Sequence, residues 1–256
     1  MSWPHGQKAA LSLTFDNLAP PVITEAISPL AELLDELDLS ATFFTEGFVM
    51  EEHAEPLARL EEQGHEVAYH AWEHETWHAL TEHEEEKNLE RGRAEGGNAG
   101  LPLFGFRPPG GRMLPSTPKH LEAHGYRYVS PAGEGAGRVG DLPALPFRWA
   151  DIDAYCVLPQ MQGLRERNDD PADGLSAEEL EARLAARIDE VVERGGYMTL
   201  LFHPALTGWF GLDRLERTLE LVKRDDLWVA PCREIAGHED ASGIPLGLDD
   251  MGWEQA

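Results

Sequence analysis

Short apolar runs alternate with amphipathic stretches along the whole chain, the order of elements expected of an α/β protein with a mainly parallel sheet. Between Lys8 and Asn17, Ala9, Leu11, Leu13 and Phe15 recur at every second position, and Asp16 and Asn17 close the run. That period predicts a first strand. Ala31, Leu33, Leu34 and Leu37 mark a helix, the run from Ala41 to Val49 a second strand, and an acidic helix closed by Gly64 comes next. His65 to His70 reads as a short strand and Leu80 to Gly97 as a charged, solvated helix. Leu101 to Gly111 is an apolar strand stopped by Pro108, Pro109, Gly110 and Gly111, with a helix over Thr117 to Ala123 and a strand over Tyr126 to Pro131 beyond it.

The middle, Gly133 to Gly174, is rich in Gly, Pro and Asp, and its segment Leu145 to Pro159 reads as strand and loop rather than helix. Ser176 and Glu179 then form a capping box, Leu180, Leu184, Ile188, Val191 and Val192 make one stripe, and Gly195 ends the helix. Tyr197 to Pro204 is a buried strand, Leu212, Leu215, Leu219 and Val222 a further helix, Leu227 to Pro231 a last strand and Cys232 to Ala236 a short helix. About seven or eight strands, most followed by a helix, predict one (β/α) barrel filling residues 1–256, with an acidic, loosely ordered tail at 239–256. Asp16, Asn17, His70, Arg107 and His203 all fall where an apolar strand ends. In a parallel barrel those ends share one face, the face on which active sites are built.

Composition narrows the partners. With 21 basic against 47 acidic side chains and a net charge of -26, the chain lacks the material for a basic nucleic-acid face, and an anionic membrane surface would repel it. A 42% hydrophobic content with 7 Trp and 9 Phe supplies a large core. Cys156 and Cys232 lack metal-ligand spacing and read as buried thiols. The first residues lack a charged segment leading into an apolar run, and no stretch has the roughly 20 apolar residues of a membrane span. The expectation is a soluble, cytoplasmic protein acting on a small molecule or oligosaccharide.

The candidate chemistry is ambiguous residue by residue. His70 and His74 are spaced to bind one divalent ion from a helical turn. His74, Glu75 and His78 equally match the H-E-x-x-H pattern of zinc peptidases. Asp16 and Asn17 could be turn residues, Arg107 a surface arginine at a rigid bend, and His203 a satisfied core histidine. Alternatively, the Arg107 guanidinium could hold Asp16 by two parallel bonds.

Taken in order, these residues resemble the polysaccharide deacetylase family, the NodB-homology or carbohydrate esterase 4 group. The opening motif is Thr14-Phe15-Asp16-Asn17, the second His70-Ala71-Trp72-Glu73-His74, the third Arg107-Pro108-Pro109-Gly110-Gly111, the fourth Asp153 near Trp149, and the fifth Leu200 to His203. The resemblance implies a distorted (β/α)7 barrel and metal-assisted hydrolysis of an amide, usually an N-acetyl group on an amino sugar. It implies Asp16 as general base held by Arg107, His203 as general acid, and Asp153 orienting one of them. Asn17, His70 and His74 would ligate a divalent metal, zinc being the family's usual choice, with Asn17 standing where the family has Asp. Gly110 replaces an aromatic residue, so that Trp72, Pro109, Gly110 and Trp209 are the candidate pocket wall. Alternative readings are an allantoinase-like hydrolase of cyclic amides with weak or no metal dependence, a sugar-binding pseudoenzyme, and the zinc peptidase.

Overall fold

The computed structural model describes residues 3–206 and 211–238. Trp209 and the acidic tail 239–256 lie outside the described residues. The strands are β1 (Ala9–Asp16), β2 (Thr42–Thr45), β3 (Glu66–Tyr69), β4 (Gly105–Phe106), β5 (Tyr128–Val129), β6 (Gly137–Val139), β7 (Leu142–Ala144), β8 (Tyr197–Phe202) and β9 (Leu227–Val229). Helices α1 (Ile27–Glu36), α2 (Gly47–Glu52), α3 (Ala54–Glu62), α4 (Glu82–Asn98), α5 (Thr117–Ala123), α6 (Asp153–Val157), α7 (Gln162–Arg167) and α8 (Ala177–Arg194) precede two more, Leu212–Glu220 and Cys232–Ala236.

The sheet is ordered β6-β7-β5-β4-β3-β2-β1-β8, parallel except for the β6–β7 hairpin. β9 pairs with the first residues of β1, Ala9–Leu11, and β2 with the last, Thr14–Asp16. One stretch completes the curl. Ala144 pairs with Val129 of β5, Phe147 bridges Ala132, and Ile152 bridges Leu201 of β8, while Thr199 donates to Pro146 O at 2.9 Å. The chain from 144 to 152 is thus a stave between β5 and β8, and with β1 to β5 and β8 it makes the distorted barrel of seven staves expected from the sequence.

A side-chain period of two sorts each strand into rows. Leu11, Leu13, Phe15, Phe43, Val67, Tyr69, Phe106, Val129, Met198 and Leu200 join the core beneath the helices, whereas Ala10, Phe44, Ala68, Tyr128, Leu145 and Tyr197 form a second, smaller cluster inside the barrel. The inner rows contain Ser12, Thr14, Thr42, Glu66 and Thr199, all buried. They end at Asp16, Glu46, His70, Arg107, Ser130 and His203, each two residues beyond an inward neighbour.

Several expectations need correction. The second strand stops at Thr45, because Gly47 to Glu52 turns into α2. Only Gly105–Phe106 of the Leu101 to Gly111 run is strand. Leu145 to Pro159 contains helix after all, a 3-10 turn at Trp149–Asp151 and then α6. The β6–β7 hairpin, with a two-residue Gly140-Asp141 turn and Gly140 at φ 64, lies in the Gly-, Pro- and Asp-rich middle, ahead of the segment read as strand and loop. The α8 capping box is present, and α4 has another from Thr81 and Glu84. Cys156 and Cys232 are buried free thiols. No helix among the described residues is long and apolar enough to cross a membrane.

Candidate active site

Arg107 follows the two-residue β4 and is fully buried. Its Nη1 donates to Asp16 Oδ1 at 2.6 Å and to Thr14 Oγ1 at 2.9 Å, and its Nε and Nη2 donate to Ser130 Oγ at 3.2 and 2.8 Å. The Ser130 hydroxyl donates in turn to Leu145 O at 2.7 Å, and the guanidinium lies 3.9 Å over the Phe44 ring centroid. The ion pair with Asp16 is therefore a single bond, not the two-bond fork expected. The other donors fix the guanidinium to β1 and β5 instead, which leaves Asp16 Oδ2 turned toward His70.

That oxygen is 3.8 Å from His70 Nε2. His70 Nδ1 lies 2.8 Å from Arg107 O, a carbonyl that can only accept. The proton of the neutral ring thus sits on Nδ1, and Nε2 presents its lone pair to the cleft. Burial above all, opposed by Asp16, lowers the His70 pKa to about 3, so the ring is neutral at physiological pH. The His74 ring lies 5.0 Å from it, centroid to centroid, at the open side of the cleft. Its pKa too is lowered, first by burial.

The two histidines meet on a loop, not on a helical turn. Ala71 and His74 both adopt left-handed φ, 64° and 61°. Glu75 holds that loop: it accepts from Trp72 N and Glu73 N, both at 3.0 Å, and from Asn88 Nδ2 at 2.8 Å. Its carboxylate is thus fully engaged, and His74 to His78 do not lie on one helix. The zinc-peptidase geometry is therefore absent, because that chemistry needs a helical pair of imidazoles and an available glutamate.

Asn17 follows Asp16 in the left-handed region, φ 65°, which asparagine tolerates better than most residues. Its Oδ1 is buried and has no hydrogen-bond partner. Among the described residues no three His, Cys, Asp or Glu side chains are grouped to hold a metal. A divalent ion would therefore need this amide oxygen beside the imidazoles, and an orphaned buried oxygen fits that use.

His203 ends the inner row of β8. Asp153, the first residue of α6, accepts from His203 N at 2.6 Å and faces His203 Nδ1 at 2.7 Å. It also accepts from Ala154 N at 2.6 Å. Burial depresses the His203 pKa, but the charge and hydrogen bond of Asp153 together with the charge of Asp16 outweigh it, and the net shift is upward.

The pocket-wall candidates separate. Trp72 is 6% exposed, with Arg91 stacked on its ring and Gly47 so close that a Cβ there would lie 2.4 Å from it. Pro109 is buried, whereas Gly110 is exposed at φ 74°, a conformation that suits glycine rather than the aromatic of the resembling family. No role was read from the sequence for Glu46, Ser130 or Phe44. Alternation was the available signal, since Glu46 lies two residues beyond Phe44 and Ser130 two beyond Tyr128.

A family model described as polysaccharide deacetylase matches residues 4–129. No curated protein matches. Among solved structures, a Mycobacterium smegmatis protein assigned to the polysaccharide deacetylases is 29% identical, with 96% of each chain covered and a TM-score of 0.79. Puue allantoinase is 16% identical over 91% of each chain, TM-score 0.72. A Pseudomonas aeruginosa PAO1 protein, also assigned to the polysaccharide deacetylases, is 17% identical over 91% of each chain, TM-score 0.71. The latter two show likeness of fold. Over residues 4–129 the chain matches the polysaccharide deacetylase family.

Proposed function

We propose that the protein is a hydrolase of non-peptide C-N bonds that removes an acetyl or similar acyl group from an amino sugar or small N-acylated metabolite. The observation that carries this reading is a base and an acid at adjoining strand ends, each held by its own charged partner: Asp16 by Arg107 at 2.6 Å and His203 by Asp153 at 2.7 Å. Asp16 takes a proton from the attacking water, and Arg107 keeps its carboxylate ionised and aimed. His203, whose Nδ1 is committed to Asp153, releases a proton from Nε2 to the leaving nitrogen. Its raised pKa keeps it charged nearer neutrality, as a general acid requires. Asn17, His70 and His74 would hold a divalent ion such as zinc, which when bound polarises the amide carbonyl and acidifies water. His70 contributes a lone pair fixed in direction by Arg107 O.

The net charge of -26 disfavours a strongly anionic polymer as substrate. A second reading, opening of a cyclic amide or imide, is favoured by Asn17, whose neutral oxygen weakens the claim on an ion. The test is metal analysis of the purified protein together with acetate release from a panel of N-acetylated sugars and metabolites, with hydantoins and cyclic imides alongside. We expect acetate release that Asp16→Asn abolishes. Unchanged turnover in that variant would sink the mechanism, and ring opening without acetate release would favour the second reading.

A further inference from the structure

Glu46 is the one buried carboxyl at the strand-end ring to which the chemistry above gives no task. It is 3% exposed, directly after β2, on the inner row with Thr42 and Phe44. Its Oε2 accepts the N–H of Leu18 at 3.1 Å. That amide belongs to the peptide joining Leu18 to Asn17, the residue held at φ 65° with an orphaned Oδ1. The turn after β2 also grips the other side of the cleft. Gly47 N donates to Ala71 O at 2.9 Å, Phe48 N to Trp72 O at 3.3 Å, and His70 N to Thr45 O at 2.9 Å. Gly47 must be glycine for this approach, since a Cβ would strike the Trp72 ring. Residues 45–48 therefore hold the loop of Asn17 by a side chain and the loop of His70 and His74 by backbone.

We propose that Glu46 is a positioning residue that sets the Asn17 amide oxygen at its proper distance and angle from His70 and His74. The inference rests on the reading that these three residues hold a divalent ion. Glu46 itself is not a ligand, because no carboxylate is grouped with the two imidazoles to hold a metal among the described residues. Its cost supports a purpose. Burial, reinforced by the charge of Asp16, pushes the carboxyl up to about 7 despite hydrogen bonds from its own backbone amide and that of Leu18. An apolar side chain of the same length would fill the space without that penalty and would leave the Leu18 amide without an acceptor.

The experiment uses the full chain, stripped of metal and titrated with Co2+, with binding read from the visible absorption of the ion and from calorimetry, and with the melting temperature of the metal-free form measured beside it. Glu46→Met keeps the bulk and removes the acceptor. Glu46→Gln keeps an acceptor and removes the charge. Loss of an outer partner of a metal site ordinarily costs 10- to 100-fold in affinity. We expect Glu46→Met to bind Co2+ at least about 10-fold more weakly, and Glu46→Gln to stay within about threefold of the parent. If Glu46→Met packs poorly, Glu46→Ala carries the same test. Parental affinity in the methionine and alanine variants would overturn the proposal. So would equal weakening in the methionine and glutamine variants, which would make charge rather than position the cause. In both cases the ion-binding reading would survive. A parent chain that binds no Co2+ would remove the ion-binding reading itself, and the inference with it.

Discussion

At each end of the barrel the chain buries a carboxyl among hydroxyls and arginines, and it treats the two carboxyls differently. At the end where the strands begin, Glu66 accepts from Thr42 Oγ1 at 2.9 Å, Tyr128 OH at 3.1 Å and Arg233 N at 2.8 Å. The helix Cys232–Ala236 closes that end, with Cys232 N donating to Thr42 Oγ1 at 2.8 Å and the Arg233 guanidinium spent on Glu61 and His65 O. At the end where the strands finish, Asp16 has one oxygen on Arg107 and the other 3.8 Å from an imidazole nitrogen that carries no proton. The sealed end satisfies its carboxyl with neutral donors and a backbone amide. The open end leaves the Asn17 amide oxygen without a hydrogen-bond partner among the described residues and sets two acceptors, Asp16 Oδ2 and His70 Nε2, facing each other, the condition under which a proton or an ion has somewhere to go.

The largest expected contrast comes from removing each carboxyl. Asp16→Asn should cut turnover on the order of 10^3-fold with the unfolding midpoint nearly unchanged. Glu66→Ala should strand three buried donors and cost about 3 kcal/mol in denaturant melts, with turnover per folded molecule retained. A chain in which both variants lost stability alike would erase the distinction.

A smaller effect belongs to His65, beside the sealed end, whose Nδ1 accepts from Ala41 N at 3.3 Å. Burial lowers its pKa from 6.5 to about 4. Between those values the unfolded chain binds the extra proton, so folding stability is complete above about pH 6.5 and falls as pH drops toward 4, by up to about 3 kcal/mol. Urea midpoints at pH 7 and pH 4.5 measure this slope, and His65→Gln should flatten it.

The smallest effect sharpens the open end. Asp153→Asn removes the main force raising the His203 pKa. The alkaline limb of the kcat profile should then move to lower pH, since the acid loses its proton sooner. An unmoved limb would take His203 out of the acid's role.

Much of this contrast was legible before any coordinates. Strand alternation located Asp16, His70, Arg107 and His203 at strand ends, and the barrel brought all four to one face. What escaped was set by contacts distant in sequence. The Leu145 to Pro159 run looked extended because apolar residues dominate it, yet Asp153 starts a helix there once its carboxylate has the amides of Ala154 and His203 to accept from. The spacing of His70 and His74 suits a helix equally well, and it took Glu75, reaching back to the amides of Trp72 and Glu73, to fix a left-handed loop instead. For Glu46, alternation with Phe44 gave a place on the inner row but no task. Its meaning depends on Leu18, 28 residues away.

The stave from 144 to 152 is joined to β8 by one backbone bridge, Ile152 to Leu201, and one side-chain bond, Thr199 to Pro146 O, whereas β1 is paired with β8 along six consecutive residues, Ala10 to Phe15. The proposed general base, Asp16, is thus mounted on the most continuous seam of the barrel, and Asp153, the proposed partner of the general acid, stands one residue past its least stitched joint. Breathing of the barrel, which starts where backbone pairing is sparsest, reaches the donor side before the acceptor side. Amide exchange should accordingly strip protection from Ile152 and Ala154 while Leu13 and Phe15 still hold theirs, so that the catalyst has one hand clamped and the other on a hinge.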